Sequence, residues 1–508
     1  MTQTIRIHYK NPYNRIKKYT EKTLITLYCY SINKDSIYHS SMEKLRALYL
    51  LTKKHLFCTI KQWVINMKKY FKEIMIVIIV LLSRLPFIFN SLGIDLDTWR
   101  EVYTGKIIHE DHIYNVSRFP GYPFPEFIYS LVYHYPYWAI NLLSVLFTIG
   151  CCLYLFKILN FLAIKLSFLI AIVFPFVPVI YLNSTVAMEY NWSLFFLLGS
   201  VYYLLNKNLW LSVLLFGLMV STRFNNIIFL PAFAFFLYIY SEKDLKKVLQ
   251  FSVLAFLSIC IFFSPVIFKY GTTFLQSYGD SKVSLGSILS LSTLYVYGAL
   301  GILAIILGLI IQFFRGGYQK VKNLSKNHFA IFSILMIVSN LIFFIRYPLE
   351  AGYLIPSVPF VLILLQYILN EKLMKSILFI LLLSPFLIHV NTKKIRITGG
   401  VFVNENYEDQ QLKYCNELVR EIKIHSGNQP AIFHVGNYSE QVSLIGNFHK
   451  NSNIKIVKYL SPKDREDIIN KKYLLYYSNT ENGKTENSKT HILDQYGTFL
   501  YEDFELIR

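Results

Sequence analysis

The sequence predicts a polytopic α-helical membrane protein with a small α/β domain outside the bilayer, and three observations point there. Of 508 residues, 54% are hydrophobic and 17% aromatic, and the mean hydropathy is +0.39, a level soluble domains rarely reach. Apolar windows of about 17–25 residues, the length that crosses a bilayer core, recur along the chain. After residue 391 these runs stop, and short strand-like and helix-like segments alternate in a polar background.

The N-terminal segment, residues 1–72, carries 15 Lys/Arg against 3 Asp/Glu, more than half of the net charge of +20. Basic residues beside a span stay on the cytoplasmic side. The charge therefore reads as topology rather than nucleic-acid binding, and no interleaved aromatic–basic motif supports the latter. Residues 1–66 are polar and patternless, and Met67-Lys68-Lys69-Tyr70-Phe71-Lys72-Glu73 resembles a natural start; the alternative is a cytoplasmic extension. The apolar run that follows exceeds signal-peptide length and lacks a small-residue cleavage site, which predicts an uncleaved first span.

About eleven spans are expected, near 74–92, 137–157, 161–182, 187–205, 208–222, 226–241, 247–268, 287–313, 328–346, 352–369 and 373–390. The short pair 208–222 and 226–241 also reads as one re-entrant unit. With the basic N-terminus inside, each inner loop carries lysine or arginine, for example Lys207, Lys243, Lys246, Lys247 and Lys322. Residues 73–391 thus form the transmembrane domain, 93–136 its first outer loop, and an odd span count puts 392–508 on the extracytoplasmic side. In that last segment 431–435, 454–457 and 473–477 read as strands and 438–447 and 462–470 as helices, an α/β domain. Gly436-Asn437-Tyr438 lacks the glycine pattern of a phosphate loop. The six cysteines show no metal spacing, and Cys415 has no partner for a disulfide within the C-terminal domain.

Two stretches carry candidate chemistry. The first span exits into Gly93-Ile94-Asp95-Leu96-Asp97-Thr98-Trp99-Arg100-Glu101, followed by Ser117-Arg118-Phe119-Pro120-Gly121-Tyr122-Pro123-Phe124-Pro125-Glu126. On the same side fall Glu189, Arg223, Arg346 and Glu350. Ionisable groups near a membrane are costly, so they tend to be paired or functional. Each has a plainer reading. Arg84 suits snorkelling or pairing with an acid, Glu189 a helix-dipole acid, and Arg223 and Arg346 outer-end anchors. His109, His112 and His134 read as surface residues. Asp97 is the strongest functional candidate. A carboxylate can take a proton from an attacking hydroxyl, and arginines can hold a departing phosphate. Two carboxylates alone would equally suit glycoside hydrolysis, but that leaves the arginines unexplained.

These stretches resemble the GT-C membrane glycosyltransferases, the superfamily of protein O-mannosyltransferases and lipid A aminoarabinose transferases, and within it glycosyltransferase family 39. Asp97-Thr98-Trp99-Arg100 is similar to the acidic start of that family's first outer loop. Arg118-Phe119-Pro120-Gly121-Tyr122-Pro123 is similar to its basic, Pro-rich continuation, although many members have Lys followed by Pro-Pro there. Glu189 in Ser184-Thr185-Val186-Ala187-Met188-Glu189-Tyr190-Asn191-Trp192 resembles a second acid. Thr222-Arg223-Phe224 with Leu230-Pro231 resembles a mid-chain segment, and Arg346-Tyr347-Pro348-Leu349-Glu350-Ala351-Gly352-Tyr353-Leu354-Ile355-Pro356 a late one. The resemblance covers residues 74–390.

The resemblance implies transfer of a sugar from a polyprenyl-phosphate donor to a lipid, glycan or protein acceptor on the extracytoplasmic face. It implies Asp97 as base with Asp95 beside it, and Arg118, Arg223 and Arg346 on the donor phosphate. Glu189, Arg100, Glu101, Tyr122, Glu350 and Tyr353 would position sugar or acceptor. No cofactor is required, although some relatives use a divalent metal; the residues themselves assign no metal ligand. The rival readings are a flippase or transporter of lipid-linked saccharides, an O-antigen-type polymerase or ligase, and a non-enzymatic scaffold for cell-envelope assembly. A transporter would want paired ionisable residues near the midplane of two related halves, and no such symmetry is visible.

Overall fold

In the computed structural model, residues 70–277, 283–390, 395–396, 399–426, 430–470 and 472–477 are described, with the short strands 490–492, 499–501 and 505–507. The expected start at Met67 and the basic segment before residue 70 lie outside them. Residues Glu73–Arg508 form one compact unit.

Helix α1 spans 70–84 and gives way to a 3₁₀ turn, Leu85–Phe87, at Pro86. The expected first outer loop is largely helical. Asp95 caps α2 (Leu96–Asp111), its side chain accepting from the Asp97 N–H. Helix α3 (Pro123–Val132) starts on Pro123, where a fixed φ and a missing N–H cost nothing. The two helices pack closely: a Cβ on Gly105 would lie 2.6 Å from the Tyr129 backbone. Trp99 is wholly buried among Leu92, Tyr129, Ile140 and Trp192, and its indole N–H donates to the Gly93 carbonyl at 2.9 Å. Burying such a side chain contributes about 1.5–3 kcal/mol. Gly93, at φ +128 with Val186 at 3.0 Å from where its Cβ would be, permits the turn. This anchoring fixes the rotation of α2, and therefore which way Asp97 and Glu101 face.

The helical body continues through α4 (Tyr137–Phe161), α5 (Ser167–Val173), α6 (Pro178–Leu182), α7 (Tyr190–Leu205), α8 (Leu209–Thr222), α9 (Leu230–Tyr240), α10 (Leu245–Phe262), α11 (Ser264–Tyr270), α12 (Leu285–Phe314), α13 (Tyr318–Leu324), α14 (His328–Arg346), α15 (Val358–Ile368) and α16 (Glu371–Leu387). Every expected span contains helix. By length and composition, five are able to cross a membrane among the described residues: Tyr137–Phe161, Leu245–Phe262, Leu285–Phe314, His328–Arg346 and Ala351–Ile368. The expected span 161–182 is broken instead, because Pro175 and Pro178 interrupt the backbone ladder between α5 and α6. Helix α12 kinks at Gly298, φ +73. The best window of α10 has a hydropathy of 1.8 yet is only 17% buried, so its apolar faces point outward. Helices apolar on their outer surface fit a lipid surround.

After α16 comes the α/β module. Helix α17 (Gly400–His425) precedes β1 (Ala431–His434), α18 (Ser439–Gly446), β2 (Ile454–Val457), α19 (Pro462–Ile469) and β3 (Leu474–Tyr477). Strands β2, β1 and β3 lie parallel in that order, with Glu505–Ile507 antiparallel on β3. The expected strands and helices are there. The module packs on α2 and on the turn before it. Gln411 Nε2 donates to the Ile94 carbonyl at 3.2 Å, His449 Nε2 lies 2.7 Å from Asp111, and Lys450 pairs with Glu110 at 3.3 Å.

Candidate active site

Arg118 is the hub. Its Nε lies 3.0 Å from Asp97, Nη1 2.7 Å from Glu101 and Nη2 2.9 Å from Glu189. Asp97 and Glu101 are one turn apart on α2 and so face the same way. Glu189 comes from the start of α7, and it also accepts from Arg223, which follows α8. Arg100 adds a 2.8 Å pair to Asp97. Aromatic rings enclose the two inner arginines. Arg118 lies 4.1 Å from the Tyr122 ring centroid, and Arg223 lies 3.7 Å from Tyr190 and 5.1 Å from Tyr353. Such faces favour a desolvated cation. Glu126 builds the loop rather than the cluster. It accepts from Tyr114 Oη at 2.7 Å and from the Ser117 N–H and Oγ at 2.7 and 2.8 Å, which holds the stretch bearing Arg118.

Glu101 and Glu189 are both wholly buried. Burial, then the Glu189 charge, pushes Glu101 well above the ordinary carboxylate range, with Arg118 opposing. A protonated Glu101 donates to Glu189, while Arg223 Nε is buried with no hydrogen-bond partner among the described residues. Two buried acids sharing one proton beside an arginine with an unused donor make a site able to exchange protons and bind an anion.

Beside the cluster lies a cavity of about 370 Å³. Asp95, Asn183, Tyr190 and Glu350 line it with Asn404 and Glu408 of α17, among apolar residues that include Val179, Leu182, Val186 and Met188. Loss of surrounding water, then the Glu350 and Asp97 charges, pushes the Asp95 carboxyl up to about 7, even though its side chain opens on the cavity. Glu350 accepts from Tyr190 Oη. One carboxylate oxygen each from Asp95, Asp97 and Glu350 lies within 4.8 Å of the others. These three hard oxygen donors are the residues that could hold a divalent cation such as Mg²⁺ or Mn²⁺.

The structure thus brings together Asp95, Asp97, Arg100, Glu101, Arg118, Tyr122, Glu189, Arg223, Glu350 and Tyr353. Arg346 ends α14 exposed, 5.8 Å from the Tyr347 ring centroid. Arg84 neither snorkels nor pairs with an acid. Wholly buried, it donates to Ser184 Oγ at 3.1 Å, to Ser83 Oγ at 2.7 Å and to the Pro175 carbonyl, 4.0 Å from the Tyr181 ring centroid. It pins α1 to the break between α5 and α6. Sequence reasoning missed Tyr190, Asn404 and Glu408. For the last two the available signal was helical spacing: Asn404, Glu408 and Gln411 recur at intervals that share one face of α17.

No protein-family model matches the sequence, and a search among curated proteins finds no relative. Among solved structures the chain is similar to the Archaeoglobus fulgidus oligosaccharyltransferase, crystallised with a tethered acceptor peptide containing the NVT sequon. That likeness has a TM-score of 0.44 and 10% sequence identity, and covers 86% of this chain and 74% of that one.

Proposed function

We propose that this chain is an integral-membrane glycosyltransferase of the GT-C type, moving a sugar from a polyprenyl-phosphate donor to an acceptor hydroxyl on the extracytoplasmic side. One observation carries the reading. Acids and arginines from four separate segments, the same ones whose motifs resemble that superfamily, meet around Arg118 beside a cavity lined by both polar and apolar side chains. Their position at helix ends rather than mid-helix favours surface chemistry over transport.

In this reading the sugar lies in the cavity against Glu350, Asn404 and Glu408. Asp95, which lines the cavity, takes the proton as the acceptor oxygen attacks the anomeric carbon; the base is thereby moved from the expected Asp97, whose carboxylate two arginines engage. The bond from that carbon to the phosphate oxygen breaks, and the phosphate leaves with the electron pair. Asp97, held by Arg100 and Arg118, keeps the arginines in place. Arg118 already has all three guanidinium nitrogens engaged by carboxylates, so Arg223 is the better placed phosphate ligand and Arg118 its organiser. Arg346 would meet the donor at the rim.

The test is release of polyprenyl phosphate from radiolabelled lipid-linked sugars by the purified chain reconstituted in liposomes. Asp95→Asn is expected to slow transfer by roughly 10²–10⁴-fold, the range for loss of a general base, and Asp97→Asn by a comparable factor through disordered arginines. Movement of intact donor across the bilayer without phosphate release would establish the transporter instead. Wild-type rates in both variants would remove the acids from the chemistry.

A further inference from the structure

At the opposite end of the same helices is a second, larger cavity, about 710 Å³. Helix α7 begins beside Glu189 and ends at Leu205, so its 16 residues place this cavity about 24 Å from the acid–arginine cluster. The walls come from two loops, one joining α7 to α8 and the other joining α9 to α10. Lys207, Trp210, Ser241, Lys247 and Gln250 line it, with Leu204 and Leu237 beneath.

Three further observations suggest a ligand. Ser241 Oγ is buried and has no hydrogen-bond partner among the described residues. The loops adopt backbone conformations that glycine or asparagine would take more cheaply: Lys207, Glu242 and Lys243 have φ of +58°, +57° and +67°. Such strain, of order 1–3 kcal/mol per residue, tends to concentrate at functional sites. Finally, exposed apolar side chains lie in the wall at Trp210 and in α10 next to Lys247. Trp210 is 66% exposed, and Leu245 and Leu249 are 68% and 67% exposed.

We propose that this cavity binds the phosphate headgroup of an anionic phospholipid in the leaflet opposite the active site. The charges that face it are Lys207 and Lys247, opposed by Glu242, with Lys243 and Asp244 in the adjoining loop and Lys246 at the start of α10; Lys247 pairs with Asp244 at 3.4 Å and would exchange that partner for the phosphate. The lysines meet the phosphate, the Ser241 hydroxyl rotates out of its buried position to donate to an ester oxygen, and the acyl chains run down the exposed leucines. Basic pockets between helices at a membrane surface recognise lipid headgroups in this way, and tryptophan favours the same interfacial depth. A soluble phosphate would make no use of Trp210, the exposed apolar residue that lines the cavity itself.

The purified full-length chain in detergent is titrated with phosphatidylglycerol, phosphatidylcholine and inorganic phosphate, and binding is read by native mass spectrometry and thermal shift. Phosphatidylglycerol is expected to bind and raise Tm, with phosphatidylcholine much weaker. The Lys207→Gln/Lys247→Gln variant is expected to bind phosphatidylglycerol roughly thirtyfold more weakly, equivalent to about 2 kcal/mol for two surface cations, and Glu242→Gln more tightly. Equal binding of the two lipids, an equal shift from inorganic phosphate, or unchanged affinity in the double variant would each overturn the proposal. The sugar-transfer reading is untouched by any of these outcomes.

Discussion

Arg84 and Arg118 are both enclosed arginines, yet they live in different chemistries. Arg84 is met by two hydroxyls, a carbonyl and two aromatic rings. Arg118 is met by three carboxylates, two of them wholly buried. The first arrangement satisfies a cation and fixes three segments to one another. The second gathers three acids and three arginines in a small volume, with two buried acids sharing a proton and Arg223 Nε left without a partner among the described residues. A buried charge is therefore not itself a sign of function. The type of its partners, and whether the set is over- or under-satisfied, separates a pin from a site.

The largest effect that follows is at Arg118. Arg118→Lys keeps a positive charge but provides one compact ammonium where a planar fork meets three acids. Removing one partner of a buried charged network costs about 3–5 kcal/mol, because the remaining charges stay buried and unpaired. Transfer is expected to fall by roughly 10³-fold or more, with folded yield reduced as well, measured by phosphate release per mole of monodisperse protein. If the lysine variant transfers within a few-fold of wild type, Arg118 is a pin like Arg84 and the comparison fails.

How much of this could be read from the sequence varied with the range of the interaction. The acids at the exit of α1 and the arginines at 118 and 223 were legible because topology puts them on one side. Depth was not legible, and that is why Arg346 and Arg223 resemble each other in sequence although Arg223 is buried and Arg346 exposed. The strands at 431, 454 and 474 were legible from short apolar runs between turn signals. The break between α5 and α6 was written in Pro175 and Pro178, but hydrophobicity over 161–182 outweighed it. The helices α2 and α3 were hidden by polar and Pro-rich composition, which reads as loop until Trp99 and Gly105 are seen packing against α3. Asn404 and Glu408 reach the cavity only because the module docks on α2, a contact made across some three hundred residues of chain.

Arg84 gives the second test, with a smaller effect of a different kind. Arg84→Met fills similar volume and removes the buried charge together with its hydrogen bonds, leaving the Pro175 carbonyl without that donor. Hydrogen bonds to a charged group are worth about 1.5–3 kcal/mol each, offset by relief from burying the charge. A loss of about 2 kcal/mol in stability is expected, seen as a lower Tm, with transfer per folded molecule unchanged. A fall in kcat at constant folded fraction would mean the α1 pin transmits to the site.

Glu408 decides between partner type and location, because it combines one trait from each arginine. Like Arg84 it has a hydroxyl partner, Ser91 Oγ at 3.2 Å; like the Arg118 cluster it sits at the cavity. Burial pushes its carboxyl up to about 8. The folded state therefore holds a proton that the unfolded chain, titrating near 4.5, releases earlier. Stability from this group is fully present below the unfolded value and is lost as pH rises toward about 8. Glu408→Gln, neutral at every pH, is expected to flatten that decline and to be more stable than wild type at pH 8, on the order of 1–2 kcal/mol after allowance for relaxation and solvent. The stability curve reads the partner, and transfer reads the location. If Glu408→Gln gains stability and keeps full turnover at saturating donor, with KM unchanged, the acid is a structural group that happens to line a cavity. If stability rises while KM for the lipid-linked sugar also rises, the protein holds an unfavourable carboxyl there for the sake of the sugar, and location outweighs partner type.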